Sequence, residues 1–131
     1  MKLAIKPLIS NLHILAARRF FQVTGFLSLL CVGSMTLLPI WQLFPGLQNK
    51  LAIPLHYNIH FGVDLFGAWW QIFTIPAVGT LILFINFVGA LYLWRREKVL
   101  SYFFATGTVL IELIFLVGMV FIVLLNLAYG V

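Results

Sequence analysis

The sequence predicts an all-α integral membrane protein with three transmembrane helices and a structured outer loop. Three observations carry that prediction. Of 131 residues, 63% are hydrophobic and only 8% charged, and the mean hydropathy is +1.12, whereas a soluble domain carries about 25% charged residues. No soluble fold of this length could hide so much apolar surface, so lipid must be the solvent for most of the chain. Next, three predominantly apolar segments are each long enough to cross a bilayer, which takes roughly 20 residues. Lastly, seven of the eight Lys and Arg residues fall on one side of those segments. The segments must be helices, because three are too few to close a barrel and lipid leaves no backbone group unpaired.

Residues 1–19 form a basic N-terminal segment holding Lys2, Lys6, Arg18 and Arg19. Leu8, Leu12 and Leu15 recur there at helical intervals, a pattern that suits a short helix lying on an anionic inner leaflet or, alternatively, a frayed basic tail. A membrane domain over 20–131 follows, with spans at about 20–44, 69–94 and 100–127 and an outer loop at 45–68. Pro39 and Pro76 fall near the outer ends of their spans, where a kink is tolerable. Arg95, Arg96 and Lys98 fill the tight second turn, and only Lys50 lies on the other side. The positive-inside rule therefore puts the N-terminus and second turn in the cytoplasm, and the first loop and C-terminus outside the cytoplasmic (inner) membrane of a prokaryote. Trp41, Phe44, Trp69, Trp70 and Tyr129 would ring the outer interface, with Phe20, Phe21, Trp94 and Tyr102 at the inner one.

The first span could also be read as a signal peptide. Its basic region and apolar stretch are both long, however, and no A-x-A-like site follows, so it is expected to be retained. The SLLC sequence ending at Cys31 lacks the small residue that lipoprotein processing needs beside the cysteine. Cys31 is the sole cysteine, so no intrachain disulfide can form.

The polar side chains gather in one stretch of the loop, IPLHYNIHFGVDLFG (residues 53–67). Ile53, Pro54, His56, Tyr57 and Asn58, with Asp64 eight residues after the histidine and Gly67 three beyond, resemble the loop of SdpI-like membrane proteins and their N-terminal domain of unknown function. Gly62 sits one place later than that pattern, and Ala68 and Trp69 stand where a lysine often follows. The resemblance covers roughly residues 20–94. It is closer still to small uncharacterised membrane proteins of candidate-phylum bacteria. The broader family includes an immunity protein that protects its maker from a secreted toxin, so the resemblance implies a membrane protein with an immunity-like capacity.

Read without the family, His56, His60 and Asp64 fall at i, i+4 and i+8, one face of a helix, and His with carboxylate can bind zinc. Pro54 and Gly62 argue against a continuous helix there. A second reading has Asn58 and Asp64 accept backbone amides, shaping a turn and capping the second span. His56 would then bond a neighbouring carbonyl, while Tyr57, Phe61 and Phe66 dip into the headgroups. A third has the loop recognise an extracytoplasmic peptide, a lipid headgroup or a neighbouring subunit.

Glu112 stands near the bilayer centre in the third span, where a charged residue costs about 2.5–3.5 kcal/mol on insertion scales. By helix rise, Thr80 and Ser34 lie at similar depth and could hydrogen-bond it, with Asn86 roughly a turn deeper. It is expected to be interhelical glue, with a proton- or cation-handling carboxylate as the alternative. Catalytic patterns are missing: the sequence holds no Ser-His-Asp set, no phosphate-cradling glycine loop and no HExxH. No enzyme activity, cofactor or nucleic-acid partner is expected. The bilayer is the expected partner, with another membrane protein, a second copy or an extracytoplasmic peptide beside it. The expected function is a binding or accessory component acting through its outward loop. The alternative is a subunit of an oligomeric transporter or channel built on Glu112, and a metal-dependent enzyme using His56, His60 and Asp64 ranks third.

Overall fold

The computed structural model describes residues 10–47 and 50–129. Residues 10–16 form a short helix, α1, and after an elbow at Ala17 and Arg18 helix α2 runs over Arg19–Leu47. Strands β1 (Ile53–Asn58) and β2 (Gly62–Gly67) pair as an antiparallel hairpin. A 3-10 helix over Trp69–Phe73 then leads into α3 (Thr74–Leu93), and a tight turn into α4 (Lys98–Ala128). Three helical stretches, Arg19–Gly46, Trp69–Leu93 and Lys98–Ala128, are long and apolar enough to cross a bilayer. Lys2, Lys6, Leu8 and Val131 lie outside the described residues.

The all-α expectation is corrected at the loop, which is a β-hairpin. Its chemistry explains why. The Asn58 side chain accepts the His60 amide at 2.8 Å, which bends the chain after β1. Gly62 closes the turn at φ +75°, a left-handed conformation open to glycine and costly for other residues. Pro54 pairs with Phe66, and the register slips between Pro54 and His56 and again before Tyr57, because proline has no N–H to give the ladder. The second span is likewise not α-helical from its start: its first turn is 3-10, and Pro76 enters in the first turn of α3, where its missing N–H costs nothing.

Helix α4 packs along both α2 and α3, which touch each other over a shorter stretch. Its buried residues are Ser101, Thr108, Glu112, Met119, Val123 and Asn126. Their spacing of 7, 4, 7, 4 and 3 traces one helical stripe, and four of the six are polar. At the hairpin end, Met35, Leu43, Ile53, Ile72, Met119 and Val123 form an apolar core to which β1 contributes its first residue. At the other end, the basic end, Leu15, Ala90, Leu91 and Trp94 form a second core.

The polar stripe ties these parts together. The Ser101 hydroxyl donates to the Ala90 carbonyl at 2.9 Å, and Asn86 Nδ2 donates to Thr108 Oγ1 at 3.0 Å. At the far end Asn126 Nδ2 donates to the Pro54 carbonyl at 2.7 Å, pinning the hairpin to α4. Segment α1 is pinned too. Asn11 Nδ2 donates to the Leu91 carbonyl at 2.9 Å, Arg95 Nε donates to Asn11 Oδ1 at 2.7 Å, and Arg95 also bonds Ser10. Leu15 is 1% exposed, so this leucine packs on protein, while Leu12 is 40% exposed. The aromatics Phe21, Trp94 and Tyr102 likewise pack on one another at the basic end, with ring centroids 5.2–5.9 Å apart.

Asn126 is the clearest test of this architecture. Asn126→Leu keeps the volume but strips the partner from a buried carbonyl, a loss of about 1–3 kcal/mol. The melting temperature in detergent is expected to fall, and hydrogen exchange in residues 53–67 to speed up more than in α3.

Candidate functional site

Two places gather unusual polar chemistry. The hairpin brings His56 and Asp64 together across its two strands. His56 faces Leu65 in the register and Asp64 sits one residue earlier on β2. Nδ1 of His56 and Oδ1 of Asp64 lie 2.6 Å apart. An ionised carboxylate only accepts, so Nδ1 carries the proton and donates, and in the neutral ring Nε2 is left as an acceptor. The pair is well exposed, 62% for the histidine side chain and 37% for the aspartate, so it fixes a ring more than it stabilises a fold.

This placement corrects two expectations. Asp64 does not cap the second span: the 3-10 helix and α3 begin without a side-chain cap, and Asp64 lies inside β2. His56 bonds Asp64 and not a carbonyl. Asn58 does take the turn-forming role. His60 lies at the exposed tip, beside Phe61, so His56, His60 and Asp64 do not share a helical face. Among the described residues no three His, Cys, Asp or Glu side chains gather as metal ligands.

Around the pair the hairpin shows apolar side chains. Ile59 is 82% and Phe61 83% exposed, and Tyr57 and Phe66 are more than half exposed. Pro54 is buried against the bundle, and Gly67 ends β2 opposite Ile53. A groove of about 610 Å³ runs between β1 and α4, lined by Leu55, His56, Tyr57, Gly118, Phe121 and Leu125 among others. His56 and Tyr57 are the polar side chains that line it.

The second place is Glu112, near the midpoint of α4 and 0% exposed. Neither carboxyl oxygen has a hydrogen-bond partner among the described residues. The glue expectation is therefore corrected. Thr80 spends its hydroxyl on the Pro76 carbonyl at 2.7 Å, Ser34 makes no bond to Glu112, and Asn86 pairs with Thr108. The carboxyl instead lies against Gly79 of α3. A Cβ added there would sit 2.8 Å from Oε2 and 3.3 Å from Met35 Cε, so glycine is what leaves the acid room. The sequence carried no sign of Asn126, Asn11 or Arg95 as structural clamps. Their type and position look like those of any polar residue near a helix end.

No protein-family model, no curated protein and no solved structure matches the chain.

Two outcomes check this geometry. Asp64→Ala removes an exposed pair and is expected to cost under about 1 kcal/mol of stability while changing the His56 ring signals in nitrogen NMR as the Nδ1 proton loses its acceptor. For Glu112, replacing an unpartnered buried acid by methionine removes a desolvation cost of about 1–3 kcal/mol, so Glu112→Met is expected to raise the melting temperature. Gly79→Ala crowds the same spot and is expected to lower it, by about 1–3 kcal/mol in stability.

Proposed function

We propose that the protein is a small integral membrane protein that works as a binding or accessory component through its hairpin, which faces outward from the cytoplasmic membrane of a prokaryote. The observation that carries this reading is the groove between β1 and α4, apolar along its length and edged by an imidazole that Asp64 holds in one orientation. Such a groove suits the apolar side chains of an extracytoplasmic peptide or of another membrane protein, while Nε2 of His56 accepts a hydrogen bond from the occupant. The resemblance of the loop to SdpI-like proteins supports the same direction, an immunity-like capture of a peptide. Arg18, Arg19, Arg95, Arg96 and Lys98 cluster at the end of the bundle away from the hairpin, which supports a cytoplasmic basic end.

Glu112 supports a second reading, a subunit of an oligomeric transporter or channel. An acid buried without any hydrogen bond contributes nothing as glue, and intramembrane acids of this kind mark proton and ion paths. Proton uptake by proteoliposomes that Glu112→Gln removes would favour it.

Gly118 supplies the test of the first reading, since a Cβ there meets nothing within 4 Å. Gly118→Leu should fill the groove and leave the melting temperature unchanged. With a photo-crosslinking amino acid in place of Tyr57, intact cells are expected to yield a discrete protein or peptide adduct that Gly118→Leu abolishes. An adduct pattern untouched by that change overturns the groove as the binding site. Membrane residence is checked separately: the protein should stay in the membrane pellet under alkaline carbonate, and a periplasm-active reporter after Val131 should be active where one between Arg95 and Lys98 is silent.

A further inference from the structure

At the opposite end of the bundle from the hairpin, the elbow between α1 and α2 forms a shallow recess of about 720 Å³, lined by His13, Arg18, Arg19, Phe20 and Tyr102 among others. Three features of its surroundings point to one kind of occupant. The first is charge. Arg18, Arg19, Arg95, Arg96 and Lys98 share this end with a single acid, Glu97. Among the described residues no ion pair joins any of these five side chains to Glu97. The recess therefore presents cations that no carboxylate neutralises.

The second is rigidity. Segment α1 is fixed to the end of α3 by the Asn11 and Arg95 bonds and by buried Leu15. The Gln22 amide donates to the Ala16 carbonyl at 2.8 Å, holding the elbow itself. Arg18 lies over the Trp94 ring at 5.1 Å. Stacking on that face leaves the guanidinium edge available to a planar pair of oxygens. Arg19 makes no hydrogen bond, ion pair or ring contact among the described residues, and both Arg19 and His13 are exposed. Arg18 is thus held in place before any ligand arrives, and Arg19 stands beside it with no partner to give up.

The third is position. The elbow stands where the chain turns apolar, and from Phe20 a stripe of exposed apolar residues continues along α2 through Val23, Leu27 and Leu30. An anion bound in the recess has an apolar track beside it on the same helical face.

We propose that this elbow is a binding site for the phosphate headgroup of an anionic phospholipid, with an acyl chain lying along the exposed stripe of α2. The phosphate oxygens accept from Arg18 and Arg19, and the Tyr102 hydroxyl and His13 ring border the headgroup. The site rests on the membrane residence proposed above, and the carbonate extraction reports failure of that reading independently.

The test uses the full chain in detergent with defined lipid added, read by melting temperature and by native mass spectrometry of retained lipid. Phosphatidylglycerol is expected to raise the melting temperature and to stay bound, where phosphatidylcholine at the same mole fraction does neither. Each basic residue near a lipid surface contributes about 1 kcal/mol, or about fivefold in affinity. Arg19→Gln, which disturbs no contact, should weaken phosphatidylglycerol retention about fivefold, and Arg18→Gln with Arg19→Gln by on the order of twentyfold. Arg96→Gln with Lys98→Gln removes equal charge outside the recess and should leave retention unchanged. Equal losses from the two pairs would replace a site with diffuse attraction and overturn the proposal. So would stabilisation by inorganic phosphate equal to that by phosphatidylglycerol, which would make the recess a site for a free anion.

Discussion

The structure depends on a single awkward constraint: four of the six buried residues of its central helix are polar, in a bundle that is otherwise largely apolar. Ser101, Thr108, Glu112 and Asn126 point from α4 into the bundle. In apolar surroundings a hydroxyl or amide without a partner costs more than a typical hydrogen bond contributes. Three of these side chains therefore dictate what stands opposite. Ser101 draws in the Ala90 carbonyl at the last turns of α3, Thr108 draws in Asn86, and Asn126 reaches the Pro54 carbonyl. The positions of α3 and of the hairpin relative to α4 follow from meeting those demands at three levels at once, where apolar packing alone would allow the helices to slide.

The hairpin shows how this matters. Two strands alone are marginal in water, and this pair carries a proline and an irregular register. It holds because its first residues belong to the bundle. Ile53 is buried with Met35, Leu43 and Val123, and Pro54 is bonded to α4. What remains beyond those anchors, from His56 to Phe66, is largely exposed. One end of the hairpin is therefore core and the other is surface. The same arrangement leaves the groove beside His56 and gives the ring a fixed partner in Asp64.

Glu112 is where the polar face is least answered: neither carboxyl oxygen has a partner among the described residues, whereas Asn126 lacks one only at Oδ1. Gly79 and Met35 lie against Glu112 without offering a hydrogen bond. A structural residue at this position would serve better as leucine or methionine.

The sequence by itself determined the helices and the polarity of the ends. Composition and segment length require apolar helices long enough for a bilayer, and the crowding of Arg and Lys at one end is a linear fact that folding does not alter. It also set the turn, because Asn58 and Gly62 act within a few residues of one another. Only the tertiary structure decided the rest. His56, His60 and Asp64 read as a helical stripe at spacing four and eight, yet a strand reverses that geometry and joins the first and last of them while sending His60 to the tip. Thr80 and Ser34 matched Glu112 in depth, but depth along an axis says nothing about rotation around it, and Thr80 turned to its own helix instead. Asn126 and Asn11 gave no local signal, since their partners, the carbonyls of Pro54 and Leu91, are 72 and 80 residues away. A backbone carbonyl has no side chain to advertise it, so contacts of that kind are written in the fold and not in any stretch of the chain.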